Sequence, residues 1–277
     1  MLWSLSSVAD QNTLERTFRN HGIPFQAPGF FDEPNFLQQE GRNPRYLELY
    51  AKYVEARRYT PEYLVEARRK IQIAAEVLRS EIELDGRLGA CVDASGMLAR
   101  MLDRLGVWNY VAKTTLTIGF PSGPTPRYFW SFDYGQFEAP HAVVVAPPYY
   151  VVDVTAKLQS YTATQAALLP PMVLVDKYKR AKWQPEDLAN PQILEGLRRH
   201  GMSFNEFLNG NNPGMAAVIR SLPPRAALFG EVQLKYVIVA VGGFTESLEG
   251  IVNYKPNGRT AQAIFEQDIL PLLDGSD

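Results

Sequence analysis

Two hydrophobic periods divide the chain, and their order restricts the folds open to it. From residue 44 to residue 105 apolar residues recur every three or four positions; from residue 111 they come in short runs broken by Pro and Gly. Helices first and strands later predict an α+β arrangement, not a parallel doubly wound sheet. A content of 46% hydrophobic and 21% charged residues excludes a mostly disordered chain.

The helical part has readable boundaries. Asn12 to Asn20 carries a short stripe of Leu14 and Phe18. A helix is expected from about Arg45 to Tyr59. A second starts at Thr60-Pro61, with Thr60 as N-cap and Pro61 at the first helical position. Its stripe is Tyr63, Ala67, Ile71, Ala74, Ala75 and Leu78. A third runs from Cys91 to Leu105 on Ala94, Met97, Leu98, Met101, Leu102 and Leu105, with Gly106 as its left-handed closing residue. Strands are expected at Val111–Ile118, Tyr128–Tyr134, His141–Val145, Tyr149–Thr155, Met172–Val175 and Glu231–Val241, and a last helix over Thr260–Leu273. Residues 201 to 230 read as loops around short helices. No low-complexity linker is visible, so the chain reads as one domain. Its parts are an N-terminal arm (1–43) read as an extended decoration, a core over about 60–175 and a C-terminal extension over about 178–277.

Charge and composition narrow the partners. The chain has 28 basic and 30 acidic residues, net charge −2, which gives no electrostatic reason to expect nucleic acid or an anionic membrane. No apolar run approaches 20 residues, and the opening MLWSLSSVAD lacks the pattern of a secretory leader. A cytoplasmic, soluble protein is expected. A single cysteine rules out an intrachain disulfide and a thiolate metal cluster within one chain. No metal motif, glycine-rich nucleotide loop or other cofactor signature is present. His21 and His200 each precede glycine and read as helix-end residues.

Cys91 falls at a helix start, where unpaired backbone N–H groups and the positive end of the helix dipole favour a thiolate. The same N–H groups can stabilise an oxyanion. Gly89 and Ala90 before it are small. Gly96, inside the helix, would be explained by close packing against a neighbouring strand. A second feature is the run HAVVVAPPYYVVDVT at 141–155. A three-residue Ala146-Pro147-Pro148 connection between antiparallel strands would set Val145 against Tyr149, Val143 against Val151 and His141 against Asp153. A two-residue turn would put His141 and Asp153 on opposite faces. An aspartate within YYVVDVT needs a partner if buried, and His141 is available. The aspartate would then fix the imidazole tautomer and support the imidazolium.

These stretches resemble the transglutaminase-like superfamily, whose core is related to papain. Cys91-Val92-Asp93-Ala94-Ser95 with Leu98, Leu102 and Leu105-Gly106-Val107 is similar to its cysteine-bearing helix; His141-Ala142-Val143-Val144-Val145 and Val152-Asp153-Val154-Thr155 are similar to its histidine and aspartate strands. The resemblance covers roughly residues 75 to 160. It implies a helix packed on an antiparallel sheet, with Cys91 as nucleophile, His141 as base and Asp153 as its orienter. Arg87, Gln72 and Trp108 are the nearby candidates for an oxyanion-hole side chain. The expected chemistry is thiol-dependent hydrolysis of a peptide or amide through a thioester. The alternatives are acyl transfer to an amine, as in transglutaminases or arylamine acetyltransferases, and a non-catalytic protein-binding module on the same fold. The substrate would be a peptide, protein or small amide, and the C-terminal extension could take a protein partner. Tyr128, Phe129, Trp130, Phe132, Tyr134 and Phe137 are candidates to line a cleft, and Asp133 and Glu138 to favour a basic substrate.

Overall fold

The computed structural model describes residues 3–121, 126–133, 136–137, 140–177, 179, 181–244 and 246–275, with the side chains of 136 and 137 left aside. The chain opens with helices α1 (Val8–Asn20), α2 (Pro34–Arg42), α3 (Leu47–Ala56), α4 (Pro61–Asp85) and α5 (Cys91–Arg104). Strands β1 (Tyr110–Gly119), β2 (Arg127–Phe129), β3 (Phe132–Asp133), β4 (Gln136–Phe137), β5 (His141–Ala146) and β6 (Tyr149–Asp153) follow. Next come α6 (Ala163–Leu168), β7 (Val173–Val175), α7 (Pro191–Arg199), α8 (Phe204–Asn211), α9 (Pro213–Ser221), β8 (Arg225–Phe229) and β9 (Val232–Gly242). A C-terminal helical segment comprises α10 (Ala261–Ile264), a π turn over Phe265–Ile269 and α11 (Leu270–Asp274).

The main sheet is antiparallel in the order β7-β6-β5-β1-β9-β8, with β2 pairing the far end of β1. The fold is therefore α+β, as the order of periods predicts. The helix signals act locally as read. Thr60 caps α4 by accepting from the Tyr63 N–H, and Pro61 opens it. Gly106, at φ 72°, follows α5. Thr60's counterpart near the C-terminus, Thr260, caps α10.

Helices cover both faces of the sheet. The apolar stripes of α4 and α5 and the C-terminal segment meet Val111, Ala142, Val144 and Val152. The opposite face carries Ala112, Leu116, Val143, Val145 and Tyr236. Here the N-terminal residues depart from the expected extended arm. Phe18 and Phe36 are fully buried, Phe30 nearly so, and they pack edge-on against one another and against Tyr46, Tyr50 and Tyr53. Spaced irregularly in sequence, these rings form one aromatic layer over the sheet. A third cluster joins α8 and α9 to Val237 and Val239 of β9.

The stretch read as one strand over Tyr128–Tyr134 is two short strands, β2 and β3; Tyr134 lies outside the described residues. β8 falls where only loops around short helices are expected. Its first residue, Arg225, is buried and donates to Glu55, whose Oε1 also accepts from Tyr110 at 2.6 Å. Gly96 is explained by a side chain and not by a strand: a methyl there would overlap the ring of Phe244.

Candidate functional site

Cys91 is the first residue of α5. Ala90, the N-cap, offers no side-chain oxygen, whereas Ser7, Thr60, Thr162, Asn190 and Ser203 cap their helices. The first intrahelical bond is Ala94 N–H to the Ala90 carbonyl, 2.8 Å. The amides of the first turn, at and just after Cys91, have no intrahelical acceptor. The loop before the helix is held in three ways. Gly89 N–H donates to the Leu158 carbonyl at 3.0 Å, and Leu158 N–H to that of Thr155 at 2.9 Å. Arg87 pairs with Asp93 at 3.0 Å and lies over the Tyr254 ring. The chain that leaves β6 thus fixes the start of α5.

His141 begins β5 and Asp153 ends β6. Their pairing corrects the expected register. Pro147 and Pro148 form a two-residue turn, with Ala146 opposite Tyr149. That register alone would turn the two side chains to opposite faces. A bulge intervenes, because Val144 pairs with Val152 and so Tyr150 and Val151 together oppose Val145. The extra residue restores parity. His141 and Asp153 are diagonal neighbours on one face and not directly opposed partners. Their contact is short, Nε2 to Oδ2 at 2.6 Å, with both side chains fully buried.

Three further hydrogen bonds hold the carboxylate. Oδ1 accepts from Thr155 N–H at 2.9 Å and Thr155 Oγ1 at 3.2 Å; Oδ2 also accepts from the Tyr236 hydroxyl at 3.1 Å. Tyr236 comes from β9, two strands beyond β5, and was not singled out in the sequence. The available signal was a tyrosine inside an apolar strand, since a buried phenol usually finds a partner.

Among the described residues Nδ1 of His141 has no hydrogen-bond partner. The thiol lies beside this ring, against the backbone at the start of β5, with Sγ 4.0 Å from the Pro140 carbonyl oxygen. Burial pushes the Cys91 pKa up, but the imidazole and the Ala142 N–H bring it below its ordinary value. For His141, burial opposes the charged ring. The Asp153 charge and hydrogen bond, with the thiol, outweigh it and raise the pKa to about 10. The two shifts favour thiolate beside imidazolium.

The three sequence-nominated residues are therefore brought together. The nominated oxyanion side chains are not. Trp108 is buried under Phe30, Tyr53 and Arg57 in the aromatic layer. Gln72 hydrogen-bonds Tyr149, at the turn end of the hairpin away from His141. Arg87 alone lies on the loop entering α5, already paired with Asp93. The aromatics expected to line one cleft disperse. Tyr128 stacks on Trp130, Phe129 meets Tyr161, and Phe132 packs with Phe204 and Phe207. Asp133 accepts from Asn190. Tyr134, Glu138 and the side chain of Phe137 lie outside the described residues. His21 and His200 close α1 and α7, as read.

Among the described residues no group of three or more His, Cys, Asp or Glu side chains is arranged to hold a metal, and no helix is long and apolar enough to cross a membrane. No protein-family model, curated protein or solved structure matches the chain.

Proposed function

We propose that the protein is a thiol hydrolase of peptide or amide bonds, built on a papain- or transglutaminase-like core. One observation carries the reading: Asp153 holds Nε2 of a buried histidine at 2.6 Å while Nδ1 has no partner among the described residues and stands beside the thiol that opens α5. The carboxylate selects the Nε2–H tautomer, so the neutral ring offers the Nδ1 lone pair to the thiol. Proton transfer gives thiolate and imidazolium, which the pKa shifts favour.

The thiolate attacks the substrate carbonyl carbon. The oxyanion forms against the unpaired amides of the helix's first turn, aided by the dipole. Imidazolium gives its proton to the departing amine, the C–N bond breaks and a thioester remains. Water resolves it in a hydrolase, an amine in a transferase. The substrate class is peptide, protein or small amide, in the cytoplasm, where a lone thiol stays reduced.

Alkylation by iodoacetamide across pH 5 to 9 tests this. Rapid modification of Cys91 at pH 6 to 7, lost in H141A, is the expected result. An electrophilic peptide probe should label Cys91 and leave the C91A protein unmarked. Slow alkylation that rises only at pH 8.5 and above would instead fit a binding module with an inert cysteine.

A further inference from the structure

The bulge that turns Asp153 toward His141 is visible in how the side chains of β6 alternate. Tyr149 and Val152 pack on the α4 and α5 side of the sheet. Tyr150 and Val151, consecutive in sequence, both pack on the side of the aromatic layer. Two successive side chains on one face are what one extra residue in a strand produces. Asp153, next after Val152, therefore falls on the face of Val143, Val145 and Tyr236, where it meets His141 and the Tyr236 hydroxyl. Strict alternation from Tyr149 would instead aim Asp153 at α4 and α5, away from His141. The contact between Asp153 and His141 depends on the bulge being kept.

Tyr150, a bulge residue, is held from three directions. Its ring stacks on the indole of Trp3, with centroids 4.1 Å apart and planes 15° from parallel. Its hydroxyl accepts from Ser4 N–H at 3.2 Å and shares a 2.7 Å hydrogen bond with Ser4 Oγ. Its carbonyl accepts from Arg225, which is buried and also pairs with Glu55. The indole is itself anchored. Trp3 is buried, and its Nε1–H donates to the Glu55 carbonyl at 2.7 Å. The chain then follows the end of α3, where Ser6 Oγ and Ser7 N–H donate to the carbonyls of Arg57 and Ala56 at 2.8 Å each. Residues 3–7 thus form a strap from α3 to the point where β6 breaks its alternation.

We propose that Trp3 and Ser4 are positioning residues of the active site: by holding Tyr150 they keep the bulge in β6, and so keep Asp153 on His141. This rests on the reading of Cys91 as nucleophile. Both residues act through Tyr150, and neither takes part in a bond-making step.

Three variants test the link. Each is read by the pH titration of the Cys91 thiolate, by iodoacetamide alkylation at pH 7 and by the low-field proton resonance of the short His141–Asp153 hydrogen bond. W3A removes the stacked ring. Its thiolate midpoint should rise enough to slow alkylation at pH 7 about tenfold, the scale of one aromatic stack, and the resonance should weaken. W3F keeps a ring on Tyr150 and should restore the wild-type midpoint. Y150F keeps both rings and loses only the bonds to Ser4, so its alkylation should slow about threefold. Lost packing by itself would lower the Tm of W3A and leave midpoint and resonance unmoved. That result in folded W3A, or a wild-type midpoint in Y150F should W3A not fold, would overturn this inference alone. An ordinary thiol midpoint of about 8.5 in the wild type, unmoved by H141Q, would overturn the nucleophile reading. The resonance in W3A would then still decide whether Trp3 holds Asp153 on His141.

Discussion

Replacing Asp153 by asparagine keeps the shape of the site and reverses its polarity. The carboxylate accepts from His141, Tyr236 and both donors of Thr155. The amide oxygen of D153N can still accept from Thr155. The amide nitrogen can only donate, so it would face Nε2 of His141 as a donor and drive the ring proton to Nδ1, beside the thiol. The ring then has no lone pair for the thiol. Burial, which already opposes the charge on His141, is no longer offset by Asp153, and the pKa falls from about 10. The thiol loses its cation, and burial pushes it up. Each unit of rise removes tenfold of the thiolate below the midpoint. Alkylation and hydrolysis at pH 7 should fall by about 10²- to 10⁴-fold, the usual contribution of a positioned base. Two charge-assisted bonds are also weakened, those from His141 and Tyr236. About 3 kcal/mol of stability should go, lowering Tm by roughly 10 °C. The assay is iodoacetamide kinetics read by mass spectrometry, with thermal unfolding alongside. In strong alkali, where both thiols are ionised, the two rates should converge. A folded D153N protein alkylated at pH 7 at the wild-type rate would refute the reasoning.

Other substitutions probe other parts of the account. In the C91A protein, His141 still gains from Asp153, so its raised pKa stabilises the fold fully below about pH 6.5, and this stability is lost as pH rises through the folded value, which lies below the wild-type value of about 10 because the thiol no longer adds to it; urea unfolding should show that decline, and C91A/H141Q should show it much reduced over the same window. G96A places a methyl in the Phe244 ring and should cost about 1–3 kcal/mol, with F244A in the same chain recovering part of it; an unchanged Tm in G96A would count against this packing. E55A removes the carboxylate from buried Arg225 and Tyr110 and should cost about 3–5 kcal/mol, far more than a surface charge deletion, by denaturant unfolding.

The sequence reveals most where structure is local. Cys91 could be placed at a helix start because six apolar residues mark one face and Gly106 ends the run. Thr60-Pro61 is likewise a local instruction. His141 and Asp153 share a face, but by a route that turn length does not reveal. Double proline gives a two-residue turn, and the compensating bulge at Tyr150 and Val151 has no signature in a continuous apolar run. Tyr236 lies 83 residues beyond Asp153 and reaches it only because β9 pairs with β1. Phe18, Phe30 and Phe36 follow no shared period, since their common neighbours are one another and the sheet face. β8 escapes notice because its buried arginine belongs to a network with Glu55, in a helix far earlier in the chain. Long-range pairing, unlike periodicity, leaves little local trace.

The state of the Cys91 thiol can be read directly, because the chain has one cysteine. The ultraviolet absorbance of the thiolate, taken as the difference between wild-type and C91A proteins over a pH titration, isolates that one group. The account predicts a midpoint below the ordinary thiol value of about 8.5 in the wild type and a higher one in H141Q. A wild-type midpoint at about 8.5 or above, unmoved by H141Q, would contradict it.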